Sequence, residues 1–365
     1  MLPLTHVHVL TFNSAPTVVT ALQSVLAQEG FTHGKNLTLD YTDNASTNGV
    51  ASIVEAKFAH QIRIVRNQEN LGFCGAHNQA VRRFLSGAAE YFLVLNPDAC
   101  LEKESLSRLV QALESSPSAG MASPLLLRGD AELNLLQPLL VDAAGMRMTP
   151  ELRHLDRGAG QALDTALQQK GFVFGGSGAC LLFRRSCVEA LLLDGGEREA
   201  DVDRLYPQLT RGRSERALLF DEGFFAYRED ADLAWRAQLL GWGTLYVPEA
   251  RVVHERRVVP ERRASLPPEL NRLGVRNRFL LQLNNLTAEV AAVTFLQGLL
   301  LRNLLVILGV LLRERTSLSA FRDIAVLYRR TRARRRELQR RRDAGGARPR
   351  ASIAPWFRGH ELARL

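Results

Sequence analysis

Cysteine is scarce. Four residues, Cys74, Cys100, Cys180 and Cys187, are spread over 365 positions at irregular intervals. That pattern supports neither a disulfide framework nor a zinc knuckle, and it fits a reducing compartment in which each thiol acts as a small buried apolar residue. The opening Met1-Leu2-Pro3-Leu4-Thr5-His6-Val7-His8 carries no basic run and leads into no long apolar stretch, so no export signal is expected there. Internal repeats are lacking too. With 46% hydrophobic and 23% charged residues, disordered, collagen-like and many-span membrane chains are excluded, and the length suits roughly two to three domains of about 150 residues. Lysine is absent after residue 250: from Arg251 onward 25 arginines face 9 acids, whereas residues 1–250 hold 22 basic and 29 acidic groups. The end of the chain is therefore the part that calls for an acidic partner.

What is present over residues 1–127 is an alternation of two periods. Val7-His8-Val9-Leu10 is β-prone, and Ser14-Ala15-Pro16 opens a helix whose Val18, Val19, Leu22, Val25 and Leu26 recur at helical spacing. Further strands are expected at Leu37–Leu39, Ile62–Val65 and Tyr91–Leu95, with helices near 47–59, 74–86 and 102–115. Such alternation predicts an α/β fold, a mostly parallel sheet with helices on both faces, and ligands at the carboxyl ends of its strands. Polar turns follow the strands at Thr11-Phe12-Asn13, Asp43-Asn44-Ala45-Ser46, Asn70-Leu71-Gly72-Phe73-Cys74-Gly75 and Asn96-Pro97-Asp98. One such turn is commonplace; four on one rim make a site. The stretch 128–170 reads as an irregular insertion and 194–216 as a polar surface loop. Ala179–Phe183 predicts another strand, Glu229–Leu240 a helix stopped by Gly241, and Leu245–Val247 and Val252–His254 two closing strands. The expected division is an α/β domain over 1–270, a helical basic extension over 271–342 and a loose tail over 343–365, with Gly345-Gly346 and Pro349 in it.

The four turns, Ser177-Gly178-Ala179-Cys180, the run from Phe220 to Arg236 and the closing Gly241-Trp242 to His254 stretch occur in one order. Together they resemble the family 2 glycosyltransferases, in particular the rhamnosyltransferase-like branch, over residues 5–285. The resemblance implies a GT-A fold and inverting transfer of a sugar, rhamnose for this branch. The donor would be a dTDP- or UDP-sugar, the acceptor a hydroxyl of a glycan or lipid-linked molecule, and the aid a divalent metal, Mg²⁺ or Mn²⁺. It assigns Asp98 and His254 to the metal, which prefers oxygen ligands and substrate phosphates. Asp230 becomes the general base with Glu229 orienting the acceptor, and Thr11, Asn13, Asp43, Asn70, Gly72, Asn78 and Asn96 serve the nucleotide and donor. From the residues alone, Glu229-Asp230-Ala231-Asp232 is a helix start favoured by the macrodipole, yet three carboxylates so close repel one another and raise a pKa, which suits a base near neutral pH. Gly72 and Gly75 let a backbone approach phosphate or ribose. Asp232, Trp235 and Arg236 are candidate acceptor contacts, with core packing the competing role for Trp235. Asn48, where the family often has an acid, and His77, where it has Gly or Arg, depart from the pattern and leave the donor open. A nucleotidylyltransferase would want a glycine-rich loop with a basic residue after the first strand, which Thr11-Phe12-Asn13-Ser14 does not supply. A glycan- or lipid-binding protein without activity would have no need of both Asp98 and Asp230.

Residues 290–312 are almost all apolar and, at 23 positions, long enough for a bilayer core of about 30 Å. Arg302 in their midst would cost about 2.5–3.5 kcal/mol on insertion scales. A nucleotide-sugar donor places the α/β part in the cytoplasm, and the Arg-rich stretch 329–342 prefers the same side, so a single crossing does not satisfy both. The expectation is a cytoplasmic protein, peripheral at the inner membrane face, held by arginines on anionic lipid. The rival reading is a soluble helical appendage with a solvated basic tail. No aromatics interleave the arginines, so nucleic acid is not an expected partner.

Overall fold

The computed structural model describes residues 2–194, 199–212, 217–256, 267–344 and 352–363. Its parallel nucleus consists of β1 (Thr5–Thr11), β2 (Leu37–Asp43), β3 (Arg63–Arg66) and β4 (Tyr91–Leu95), linked by α1 (Val18–Leu26), α2 (Val50–Phe58) and α3 (Gly72–Ser86). The spatial order is β3-β2-β1-β4. Chain progression thus reverses at β1, and the crevice beyond the carboxyl ends of β1 and β4 is where a sheet of this kind leaves room for a ligand. After β5 (Ala99–Leu101), α4 (Ser105–Glu114) and β6 (Ala119–Arg128) come three short strands, β7 (Val141–Ala143), β8 (Met146–Met148) and β9 (His154–Asp156). β10 (Gly171–Val173), β11 (Cys180–Arg184), α5 (Arg185–Leu191), β12 (Leu193–Asp194), α6 (Ala200–Leu205), β13 (Ala217–Leu218), α7 (Glu229–Leu239) and β14 (Gly243–His254) complete the α/β part. β11 enters antiparallel between β4 and β6, while β14 runs parallel to β6 and carries β5 and β10 on it.

Both faces of the sheet are covered, which is why β1, β2 and β4 are almost wholly buried. On one face Val18, Leu22 and Val25 of α1, Val50, Val54 and Phe58 of α2, and Leu106, Leu109, Val110 and Leu113 of α4 meet Val7, Val9 and Leu39. On the other, α3, α5 and α7 pack on Phe92, Val94 and Phe183. A further layer of helices lies outside that face: α8 (Pro268–Asn285), α9 (Ala288–Thr294), a π-helical segment (Phe295–Arg302), α10 (Asn303–Leu312) and α11 (Ser319–Asp343).

Four regions differ from the sequence reading. The insertion 128–170 is not irregular: β7 joins the large sheet through β6, and β8 and β9 form a hairpin. The closing strands are one strand, β14, with a register shift between Val247 and Arg251. Within 194–216 the described residues are not a surface loop, since Glu199, Val202 and Leu209 are buried; residues 195–198 and 213–216 lie outside the described residues. The tail is not loose over 352–363. Phe357 packs against Phe174 and Trp235, and Ala363 exchanges two backbone hydrogen bonds with Phe172 of β10 at 2.8 Å; Gly345, Gly346 and Pro349 lie outside the described residues.

Candidate active site

Three strand ends form the first wall. β1 and β2 pair in register so that Thr11 stands beside Asp43. The Thr11 hydroxyl donates to Asp43 Oδ1 at 3.0 Å and meets the Tyr41 hydroxyl at 2.7 Å. The Ser46 amide donates to Asp43 Oδ2 at 3.0 Å. Asn13, at φ 50°, accepts from the Thr47 amide at 2.8 Å, so the turns after β1 and β2 are tied together. Asn44 ties in the third turn, donating to Asn70 Oδ1 at 2.8 Å and accepting from the Leu71 amide. Phe12 is left 48% exposed at this rim, an unusual position for a large aromatic ring unless something stacks on it.

The second wall is a chain of charges. Asp98 follows β4 and His254 ends β14; the Glu255 amide donates to the Asp98 carbonyl at 3.0 Å, which holds the two together. Asp98 Oδ1 is buried without a hydrogen-bond partner among the described residues and faces His254 Nε2 at 3.4 Å. Behind the imidazole, Nδ1 meets Asp142 Oδ2 at 2.8 Å. Burial opposes charge on this ring, yet its contacts with Asp142 and Asp98 lift His254 to about 9. Arg256 extends the chain, donating to Asp142 Oδ1 at 3.1 Å and to Asp156 Oδ2 at 2.6 Å. Burial lifts Asp156 to about 6 against the pull of Arg256, and the nearby charges of Asp230 and Asp142 add to the rise.

Asp230 belongs to the third wall, the first turn of α7. The Gly178 amide donates to its Oδ2 at 3.2 Å and the Ala231 amide to its Oδ1 at 2.7 Å. The same short segment reaches the metal-side turn, because the Asn96 amide donates to the Ala179 carbonyl at 2.8 Å. Asp98 and Asp230, 132 positions apart in the chain, are therefore joined to one rim through residues 178–179, and the chain from His254 through Asp142 and Arg256 ends at Asp156, which feels the charge of Asp230. Burial raises Asp230 against those two amide hydrogen bonds. Burial and the charges of Asp230 and Asp232 push Glu229 up to about 8, and its Oε2 has no hydrogen-bond partner among the described residues. Two adjacent carboxylic acids thus differ in environment: burial raises both, but Asp230 has two amide donors that favour its charged form, whereas Glu229 Oε2 has none among the described residues.

The loop before α7 is wound tightly. Phe225, Tyr227 and Arg228 have φ of 63°, 69° and 69°, a conformation that costs about 1–3 kcal/mol per non-glycine residue unless its surroundings hold it. Asn277 of α8 donates to the carbonyls of Phe224, Ala226 and Tyr227, and Arg276 to those of Gly223 and Phe224. His154 on β9 meets Arg228 at 2.9 Å.

The family model described as glycosyl transferase family 2 matches residues 6–192, half of the sequence. The chain belongs to that family. It is also 25% identical over 250 residues to an N-acetylglucosaminyl-diphospho-decaprenol L-rhamnosyltransferase of Mycobacterium tuberculosis, an overlap of 64% of this chain and 72% of the relative. Among solved structures, it superposes on GalNAc-T7, solved with UDP, GalNAc and Mn²⁺, at TM-score 0.53 and 14% identity, and on S. aureus TarS at 0.50 and 14%. Those overlaps take in 77% and 93% of this chain; it spans 48% and 53% of the two longer chains. These likenesses establish the fold as GT-A. The protein is a glycosyltransferase.

The GT-A framework of this transferase redistributes several sequence assignments. Asn78 is fully buried, accepting from the Leu219 and Phe220 amides and donating to the Phe220 carbonyl and Glu222; it pins the Phe220 segment and has no face toward a donor. Gly72 at φ 69° has its close neighbour in Phe225, whose carbonyl oxygen would lie 2.5 Å from an added Cβ, and Gly75 abuts Leu209; their space is taken by protein, not by phosphate. Asn70 spends its side-chain oxygen on Asn44 and the Gly72 amide. Asp232, Trp235 and Arg236 are buried. Asp232 pairs with Arg236 at 2.8 Å and accepts from Asn285, Arg236 also donates to the Leu191 and Leu219 carbonyls, and Trp235 packs on Phe357. Acceptor contact by these three is corrected to support of α7. The sequence reading missed Asp142, Asp156, Arg256 and Asn277. The first two sit in the supposed insertion, where an Asp before the turn Ala143-Ala144-Gly145 was the one local signal; nothing near Asn277 in sequence marks it.

Proposed function

We propose that the transferase moves a sugar, L-rhamnose in our reading, from a dTDP- or UDP-linked donor to a hydroxyl of a lipid-linked glycan, with inversion. The observation that carries this is the joining of Asp98 and Asp230 to one rim through residues 178–179. Rhamnose and the lipid-linked acceptor follow the name of the mycobacterial relative; in this reading the work belongs to polysaccharide assembly with a nucleotide-sugar donor on the cytoplasmic side. Asn13 and Asp43 serve the nucleobase, where the remaining lone pairs of Asp43 accept the N3–H that uracil and thymine share; fully buried Thr11 holds Asp43 from behind; Phe12 offers a ring to stack; Asn96 stands beside the diphosphate.

Among the described residues no group of three or more His, Cys, Asp or Glu side chains gathers on one point. A pair is present. Asp98 Oδ1 and His254 Nε2, 3.4 Å apart with the imidazole backed by Asp142, make a donor set that suits a divalent cation sharing its remaining positions with substrate phosphates, the imidazole giving up its proton as the cation binds. Asp98 and His254 would hold such a cation, which supplies positive charge for the departing diphosphate. On the opposite side Asp230 takes the proton of the acceptor hydroxyl as oxygen attacks the anomeric carbon. The Gly178 and Ala231 amides keep its carboxylate aimed, and protonated Glu229 leaves the charge to Asp230. One displacement needs no second nucleophile.

The test is a pair of substitutions read by donor binding and by transfer. Asp230→Asn is expected to bind donor normally while transfer falls by about 10²–10⁴, and Asp98→Ala to lose the Mn²⁺ dependence of donor binding. Full turnover by either variant sinks the assignment.

A further inference from the structure

Among the described residues one helix, Ala288–Leu312, is long and apolar enough to cross a membrane, and little of it is buried in the protein. One edge of this helix is anchored. Val290 and Thr294 are buried, Val306 and Val310 pack with Val275, Phe279 and Ala320, and Asn303 exchanges hydrogen bonds with Gln282. Midway, Gly298 lies so near the Pro150 carbonyl and Leu152 that an added Cβ would be 2.7 and 2.8 Å from them. The other side shows Phe295, Leu296, Leu300, Leu301, Leu304, Leu305, Leu308, Leu311 and Leu312 to the outside, Leu305 at 60% and Leu312 at 73% exposure. A core helix would be covered all round, and a spanning helix would have to shed the protein along its anchored edge. Charge follows it in the chain: Arg313 and Arg315 are exposed just past its end, and α11 exposes Arg322, Arg329, Arg332, Arg336 and Arg340 at helical spacing.

We infer that residues 288–312 lie in the plane of one leaflet of an anionic bilayer, protein on one side and acyl chains on the other, and hold the acceptor end of the site at headgroup height. The link to the site is short. The turn that receives Gly298 joins β8 to β9, and β9 carries Asp156 and His154 to the Asp230 wall. Arg278 fastens the assembly, donating to the carbonyls of Glu151 and Leu152 and to Asn303. An acceptor suited to this layout is an amphiphile whose apolar part stays in the leaflet while its hydroxyl-bearing head enters beside Asp230. The acceptor half of this inference rests on the proposed transfer reaction; the membrane half does not.

The full chain is floated with vesicles of phosphatidylethanolamine and phosphatidylglycerol, and with vesicles of phosphatidylcholine alone. Binding to the first, weaker binding to the second and release by alkaline carbonate are expected; resistance to carbonate would mean a spanning helix and overturn the in-plane geometry. Leu300→Gln/Leu304→Gln/Leu308→Gln is expected to lose flotation by about tenfold or more, with an unchanged unfolding midpoint. Its turnover of an acceptor embedded in vesicles falls in parallel, while turnover of a short-chain, water-soluble acceptor stays at the wild-type level. Equal flotation of the variant overturns the proposal. So does a wild-type chain that ignores vesicles and elutes as a dimer that the triple substitution dissociates, since a second copy then covers the face. Flotation without transfer to either acceptor would sink the reaction and spare the membrane contact.

Discussion

Arginines of two kinds alternate along α11. Arg329, Arg332 and Arg336 are exposed. Arg330 and Arg334 are buried: Arg330 forms a two-pronged contact with Glu199, both nitrogen–oxygen distances 3.0 Å, and donates to Asp221, while Arg334 also reaches Glu199. Their effects on ionisation are as distinct as their positions. Arg330 and Arg334 overcome burial to hold Asp221 well below the usual carboxylate range. A run that reads as one solvated stripe is two devices, an internal clamp and an outward charge.

The largest expected effect breaks the clamp. Arg330→Met leaves Glu199 and Asp221 charged and buried, a loss of about 3–5 kcal/mol, read as a lower urea midpoint at neutral pH; a loss under about 1 kcal/mol would mean the inner arginines are no different from the outer. Next comes Asn277→Ala, which takes the donor from the Ala226 and Tyr227 carbonyls of the wound loop and is expected to cost about 1–3 kcal/mol. Kinetics should show a fall in kcat with donor affinity preserved, because only the aim of Asp230 changes.

A pH titration of stability sharpens the contrast between two nearby acids. Asp221, depressed in the fold, contributes stability above the ordinary carboxylate range, and that contribution is lost as pH falls through its lowered value. Glu229, raised to about 8 from a starting value of 4.5, acts in reverse: its contribution is present below 4.5 and lost as pH rises through about 8. Glu229→Gln should lessen the alkaline decline, leaving the share that His254, lifted to about 9, contributes, and should spare the acid one; Arg330→Met should lessen the acid decline and spare the alkaline one. The smallest effect is that of Arg332→Ala, within about 0.5 kcal/mol in stability, with vesicle binding weakened by about fivefold, the worth of one arginine at an anionic surface.

The same contrast explains what was legible in the sequence. The strands β1 to β4 and their helices follow from local periodicity, and the turns at Thr11, Asp43 and Asn96–Asp98 stand where a parallel sheet must put them. Residues that act over long separations were hidden. Glu199 and Arg330 lie 131 positions apart, Asn277 and Ala226 51, and neither side of either pair is unusual in its own neighbourhood. Asp142 and Asp156 were hidden for another reason: strands of three residues are too short for period-two alternation to register. Asn78 and Arg236 were misplaced because polar side chains near a rim resemble ligand contacts until their hydrogen bonds are seen to be filled by backbone.

The hold of Asn277 on the loop before Asp230 has a consequence for biosynthesis. A chain leaving the ribosome completes every strand of its sheet, with both aspartates in place, before the asparagine that seats the base has been made. Partial products would carry the signature turns and lack the side chain that aims the carboxylate, so turnover of activated sugar is expected to rise only once Asn277 has been made.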